Sequence, residues 1–302
     1  MGKYLDPKAD LTFKKVFGEH PNLVISLLNA LLPLEEGQEI KEVEYLSPER
    51  VPWFSSGKYS IVDVMCKAKD GRHFIVEMQM YWTTNFKDRV LFNSAKVYVE
   101  QLRQGEDYSQ LKPVYTLSLV NDIFEPTMTE MIHHYQMVHD KKTEKVIDGL
   151  HLVFVELPKF KPQNMTEKKM AALWLRFLTE IDDDTREVPK ELRDNGEISQ
   201  AMKIVEETAY TSEQLEEYNW FWDKVRLDRN LAGAAEQRYE EGREEGRKEG
   251  KEEGRIEGIE EGEKIGAEKT NIENARKMKE IGMTTEQIRM VTGLTEEEIA
   301  SL

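Results

Sequence analysis

Residues 60–80, SIVDVMCKAKDGRHFIVEMQM, place two carboxylates within strand-like runs, Asp63 and Glu77, with Gln79 two positions on from the second. Acidic side chains are poor strand formers, yet the surrounding Val, Ile, Met and Phe residues pattern as the two arms of a hairpin. Residues on opposing arms share a face only when directly opposite or an even number of positions away. A two-residue turn at Asp70-Gly71 would pair residue 64 with 77 and put the carboxylates on opposite faces. A three-residue loop, Lys69-Asp70-Gly71, pairs 68 with 72 and therefore 63 with 77. Gly71 then takes the left-handed position of a type I turn plus bulge, which costs glycine little. In that register Asp63, Glu77 and Gln79 share a face with Ile61, Met65 and Ile75, while Val62, Val64, Phe74, Val76 and Met78 form the other. Like charges placed opposite each other repel, more so when partly buried. A hard divalent cation, which takes oxygen ligands, removes the conflict. The competing explanation is a sheet with one wet face on which the carboxylates are merely solvated. The apolar neighbours on that face count against it.

The elements that must position this hairpin are legible in outline. Asp10 precedes LTFKKVFG, where Phe13, Val16 and Phe17 recur at helical spacing, and a second apolar helix runs from Leu23 to Leu32. EIKEVEYLS (39–47) reads as an edge strand, and SIVDVMCKA and HFIVEMQMYW as the two strongest strands. Residues 85–104 read as a helix stopped by Gly105. VYTLSLVND (114–122) reads as a strand buried on both faces, and LHLVFVEL (150–157) as a further strand. Beyond Pro162 the spacing predicts helices over Met165–Ile181, roughly Gly196–Tyr210, and from Ser212 onward. Gly242, 246, 250, 254, 258, 262 and 266 then recur every fourth residue in a Glu/Lys/Arg background. A four-residue step makes that row wind slowly around a helix, and seven glycines in place of alanines weaken it by roughly 6 kcal/mol of intrinsic propensity. The expectation is a spacer that frays or meets another helix along its glycines. The end, MTTEQIRMVTGLTEEEIASL, predicts two short helices capped by Thr284 or Thr285 and by Thr295, with Gly293 between. The acidic start of the last helix suits a docking or oligomerisation knob better than a DNA reader.

Composition narrows the setting. The net charge is −16, but residues 1–120 carry 15 Lys/Arg against 16 Asp/Glu, so the acidity belongs to the rest of the chain. That argues against nonspecific coating of nucleic acid and leaves room for a local basic groove. One cysteine, Cys66, precludes an internal disulfide and reads as a buried apolar residue. No apolar leader and no apolar run of membrane-spanning length is visible, so a cytoplasmic location is expected. His133, His134 and His139 lack zinc-site spacing, and Asp182-Asp183-Asp184 lacks calcium-loop spacing.

The order helix, strand, hairpin, helix, strand, with Asp63 on one arm and Glu77-Met78-Gln79 on the other, resembles the PD-(D/E)XK nuclease superfamily. DLTFKKVFG (10–18), VEMQMYW (76–82), the helix with Arg89 and Tyr98, VFVELPKF (153–160) and the glycine-every-fourth tail resemble, more closely, the Rpn-type recombination-promoting nucleases, also described as PD-(D/E)XK nuclease family transposases. The resemblance implies an α/β fold with a restriction-endonuclease-like core, a mixed sheet flanked by helices, followed by a helical region and a long C-terminal helix. The expected divisions are a nuclease-like domain (1–160), a helical region packing on it (161–235), a charged helical arm (236–282) and a small helical pair (283–302). It implies Mg²⁺-dependent DNA endonuclease activity, with Mn²⁺ or Ca²⁺ as possible substitutes. Asp63, Glu77 and the carbonyl of Met78 would be the metal ligands. Gln79 stands where the superfamily keeps a lysine; glutamine exchanges hydrogen bonds but carries no charge. Lys14, Lys15 or Arg89 could supply the missing cation. Asp10 enters as either a cap or a site residue. Tyr98 lies half a turn round the helix from Arg89. DNA and further copies of the chain, joined through the helical arm, are the expected partners, with no membrane. The alternatives are a catalytically weak or inactive nuclease fold kept as a binding and assembly module, and a transposase, for which no separate DNA-targeting domain is visible.

Overall fold

A computed structural model describes residues 3–50, 60–162 and 169–302. The chain divides into two compact units, Met1–Arg229 and Asn230–Leu302. Among the described residues of the first unit, six strands form a mixed sheet in the order β1-β4-β5-β6-β8-β7. These are β1 (Val43–Tyr45), β4 (Val64–Ala68), β5 (His73–Gln79), β6 (Val114–Val120), β7 (Ile132–His139) and β8 (Lys142–Glu156). The central strands β5, β6 and β8 are parallel, and the flanking pairings are antiparallel. A separate ribbon pairs β2 (Glu49–Arg50) with β3 (Ser60–Ile61).

Side-chain alternation sends the two faces of the sheet into different packing. Val64, Cys66, Phe74, Val76, Leu117, Leu119, Val153 and Val155 enter the main core with residues of α1 (Asp10–Phe17), α2 (Pro21–Leu31), α4 (Lys169–Glu180) and α6 (Gly196–Ile204). The opposite face is covered by α3 (Phe86–Val99). Val97 packs with Met65, Ile75 and Val114, and Phe86 and Val90 pack with Val120 and Phe154. α3 is the crossover between the parallel strands β5 and β6, which need a connection of this length to return to the same end of the sheet.

The hairpin register is Val64↔Val76 through Lys67↔His73, which continues to 63 opposite 77. The Gly71 amide closes onto the Ala68 carbonyl at 2.9 Å and Gly71 has φ +95°, as the three-residue loop requires. SIVDVMCKA is not one strand, however. It ends as β3 at Ile61, bends at Asp63, and restarts as β4 at Val64. The bend also turns Val62 into the cluster of Met65 and Ile75, away from the face that strict alternation assigns to it.

Other expectations are adjusted similarly. The 150–157 strand is the inner half of β8; its outer half, KTEKVIDG, is exposed as far as Asp148 and pairs with β7, which has no apolar alternation to announce it. α4 begins the described part of the helix expected over 165–181, whose first residues, 165–168, lie outside the described residues. α5 (Lys190–Asp194) is additional, and α6 stops at Ile204 before a single 3₁₀ turn at Glu207–Ala209. His133 and His134 are structural: His133 bonds the buried Glu156 carboxylate at 2.8 Å, and His134 bonds His151 at 3.1 Å. Burial pushes the Cys66 thiol up to about 12, so it stays protonated and unreactive.

α7 (Ser212–Glu280) is a continuous helix that passes from the first unit into the second. In the second unit, a Cβ added at any glycine from Gly242 to Gly266 would meet nothing within 4 Å. Ala275, Ile288, Leu294 and Ile299 form a small apolar cluster among the end of α7, α8 (Thr285–Thr292) and α9 (Glu296–Ser301). Thr284 and Thr295 each close a capping box, and Gly293 is left-handed at φ +73°.

Gly71→Ala is expected to destabilise the first unit by about 1–2 kcal/mol, since a Cβ there is left-handed and would lie 2.9 Å from Lys112 Cγ. Urea unfolding followed by circular dichroism measures the loss.

Candidate active site

The hairpin ends where the sheet changes character. Because β4 stops at Val64, the edge of β5 beyond Val76 has lost its antiparallel neighbour. The Asp63 side chain fills the gap, its Oδ2 accepting from the Met78 N–H at 2.7 Å in place of a strand carbonyl. Successive carbonyls of a strand point to opposite edges. The Gln79 carbonyl accepts from the Asn121 N–H on the β6 side at 2.8 Å. The Met78 carbonyl therefore points to the Asp63 side.

Glu77 projects from the next position on β5 into the interface under α3 and is only 5% exposed. Its Oε1 accepts from Asn93 Nδ2 at 3.3 Å, and its Oε2 is buried with no hydrogen-bond partner. The same is true of Asn93 Oδ1 and of Ser118 Oγ, whose residue is the β6 register partner of Glu77. A carboxylate oxygen without a donor in such a place is costly. Burial, then the charge of Asp63, pushes the Glu77 carboxyl up to about 7, against the pull of Arg89 and Asn93. Burial also pushes Asp63 up to about 6; Asp10 adds to this, while the Met78 amide, Lys14 and Arg89 oppose it.

Gln79 is fully engaged. Its Oε1 accepts from Arg89 Nη2 at 2.6 Å and its Nε2 donates to the Tyr81 carbonyl at 2.7 Å. The guanidinium also lies over the Phe86 ring at 4.8 Å. Gln79 thus holds the Arg89 guanidinium at the end of β5. Lys14 is paired with Asp10 at 2.8 Å. Lys15 turns away, donating to the Ala209 carbonyl and lying 3.9 Å from the Tyr210 ring centre. Asp10 is not the cap of α1, a position held by Ala9; it opens the first turn and lines the cleft with Asp63, Met78 and Gln79. Tyr98 lies elsewhere, packed beside Leu150 with its ring 3.5 Å from the Cβ position of Gly149.

Asn93 has no sequence signal beyond standing four residues after Arg89, a spacing that places both on one face of α3. Lys8, Tyr81, Trp220 and Lys224, which also line the cleft, leave no comparable trace in spacing.

Among the described residues, no group of three or more His, Cys, Asp and Glu side chains converges as a metal site. The donor set at the bend is instead two carboxylates and a backbone carbonyl. All are oxygen, one is unpartnered, and the carboxylates repel each other, which suits a hard divalent cation.

A buried carboxyl held near 7 keeps its proton more tightly than in the unfolded chain, where it titrates near 4.5. Its burial therefore destabilises the metal-free fold increasingly as pH rises from about 4 through 7. Glu77→Gln is expected to raise metal-free stability at pH 8 by on the order of 1–3 kcal/mol, and to have little effect at pH 4. Thermal melts across that range in EDTA test the sign.

No curated protein and no solved structure matches the chain. The family description that does match, PD-(D/E)XK nuclease family transposase, covers residues 7–234 and so takes in the hairpin, α3, the parallel strands and the first part of α7. With this sheet, its flanking helices and the matched span, the chain belongs to the PD-(D/E)XK nuclease family transposases.

Proposed function

We propose that this chain is a divalent-metal-dependent DNA endonuclease that hydrolyses phosphodiester bonds. Asp63, Glu77 and the Met78 carbonyl would hold the metal, with Mg²⁺ the physiological ion and Mn²⁺ or Ca²⁺ as substitutes. The observation that carries this reading is the unpartnered, buried Glu77 Oε2 next to a second carboxylate on the rim of a cleft. A bound divalent cation would supply Lewis-acid stabilisation and a water activated at neutral pH. The protein's own contributions are positional and electrostatic. The Met78 amide orients the Asp63 carboxylate, and Asn93 orients that of Glu77. Arg89, held by Gln79, adds positive charge within reach of both carboxylates, where negative charge on a reacting phosphate must be offset. Lys14, neutralised by Asp10, is the weaker candidate for that role.

Nicking of supercoiled plasmid in Mg²⁺ or Mn²⁺ tests the assignment. Asp63→Ala is expected to abolish nicking without loss of the fold, and undiminished cleavage by that variant would refute the proposal. Arg89→Ala should lower the rate by roughly 10²–10³-fold, and Gln79→Ala should lower it less, through displacement of Arg89.

A second reading, a nuclease fold retained for binding and assembly, draws on the small number of acidic side chains at the site. Calorimetry showing no Mg²⁺ or Mn²⁺ uptake would favour it. In either case we propose self-association through the helical arm, where Ile256, Ile259 and Ile265 are exposed beside the open glycine row. Gly250→Ala with Gly254→Ala should then shift the association equilibrium in sedimentation. If the glycines meet nothing, the pair would only add about 1 kcal/mol of helix propensity per site. Among the described residues, no helix is long and apolar enough to cross a membrane.

A further inference from the structure

The cleft beside Asp63 has a second wall that the proposed chemistry leaves unused. It comes from the start of α7, where Trp220, Lys224 and Val225 share a space of about 340 Å³ with Asp63, Met78 and Tyr81. That volume is within the range of pockets that hold small organic molecules. The wall is fixed in place. The Tyr81 hydroxyl donates to the Val225 carbonyl at 2.8 Å, and the Tyr218 hydroxyl accepts from the Asp6 N–H at 2.8 Å and donates to Asp183 at 2.6 Å.

The aromatic residues of this stretch divide sharply. Tyr218 is 3% exposed and packs with Leu5 and Ala9, and Phe221 and Trp222 pack against that cluster. Trp220 belongs to no apolar cluster and is 64% exposed, with Lys224 Nζ 5.8 Å from its ring centre. An indole held on an anchored helix with a free face, a cation beside it and a proposed phosphodiesterase site in the same cleft matches the elements that bind single strands. There, aromatic faces stack on bases while basic residues follow the backbone. Lys8, also at the cleft, is already committed to Asp6 and the Leu178 carbonyl, which leaves Lys224 as the cation for the phosphate.

We propose that Trp220 is a stacking platform for a nucleobase lying out of the double helix, and that Lys224 contacts its phosphate. The substrate class is then DNA with an unpaired nucleotide beside the cleavage point: a single strand, a flap or a junction. The inference rests on the nuclease reading above. Within a duplex both faces of each base are covered by neighbours, so only an unstacked base offers a face to the indole. Because every base has such a face, the preference is for strand structure and not for sequence.

Fluorescence anisotropy with the full-length chain in EDTA tests this, using a labelled oligo-dT single strand and a blunt duplex of equal length. The wild type should bind the single strand more tightly. Trp220→Ala should weaken single-strand binding on the order of ten-fold and leave duplex binding within about two-fold, while Trp220→Phe keeps most of the affinity. Lys224→Ala should weaken both and reduce the salt dependence by about one ion. Equal losses on both probes, no loss, or a Phe variant as weak as Ala would overturn the platform. Because EDTA withholds the metal and cleavage is not read, a catalytically dead chain can still pass. A chain that nicks plasmid but shows no effect at Trp220, or that binds neither probe in EDTA, refutes the platform alone; the nuclease reading stands or falls on the nicking assay. Circular dichroism melts of the variants confirm that each is folded.

Discussion

The loop Lys69-Asp70-Gly71 sets residue 63 opposite residue 77, and the cleft depends on that pairing. One residue fewer in the loop would send the two carboxylates to opposite faces, one under α3 and one into the apolar layer beneath α1 and α2. The pairing is secured at one end by the left-handed Gly71 and at the other by Asp63, whose carboxylate takes the Met78 N–H that β4 no longer reaches. The bend that interrupts the strand is thus also what brings a carboxylate to the exposed edge of β5. A straight strand would have used a backbone carbonyl for the same bond and left no charged group there.

Electrostatics then gives the arrangement its unfinished character. Asp63 and Glu77 are both held above the usual carboxylate range, chiefly because they are withdrawn from water, and Glu77 also because Asp63 is near. Arg89 opposes both shifts without removing them. In most interiors such groups are paired until their hydrogen bonds are complete. Here Glu77, Asn93 and Ser118 each retain a buried atom without a partner, on the face where α3 otherwise packs with Val, Phe and Ile side chains. Local stability is given up here, next to the cleft that Asp63 lines.

The two units use their sequences differently. In the first, apolar residues are shared between the two sheet faces, and the central strands with α1, α2, α3, α4 and α6 are held by tertiary packing. In the second, most of the long helix is exposed, its glycines carry no neighbours, and its ion pairs are local ones such as Lys248–Glu244 and Arg255–Glu252. Among the described residues of this unit, the last turns of α7, with α8 and α9, bury an apolar cluster.

Much of this was readable in advance because it depends on local rules. Loop length and the freedom of glycine to take a positive φ determine the hairpin register; helical spacing identifies α1, α2 and α3; threonine caps and Gly293 delimit α8 and α9. Strand β7 was not readable, because it is exposed on an edge and lacks apolar alternation. The break in SIVDVMCKA was hidden because a single acidic residue between apolar ones fits a strand with one polar position as well as it fits a bend. Local rules thus identify the acidic pair and the helix that carries Arg89. The bridge from Gln79 to Arg89, the meeting of Asn93 with Glu77 and the arrival of Trp220 at the cleft come from packing between distant elements. Those contacts join elements from 10 to more than 140 residues apart, and no local periodicity encodes where such elements meet.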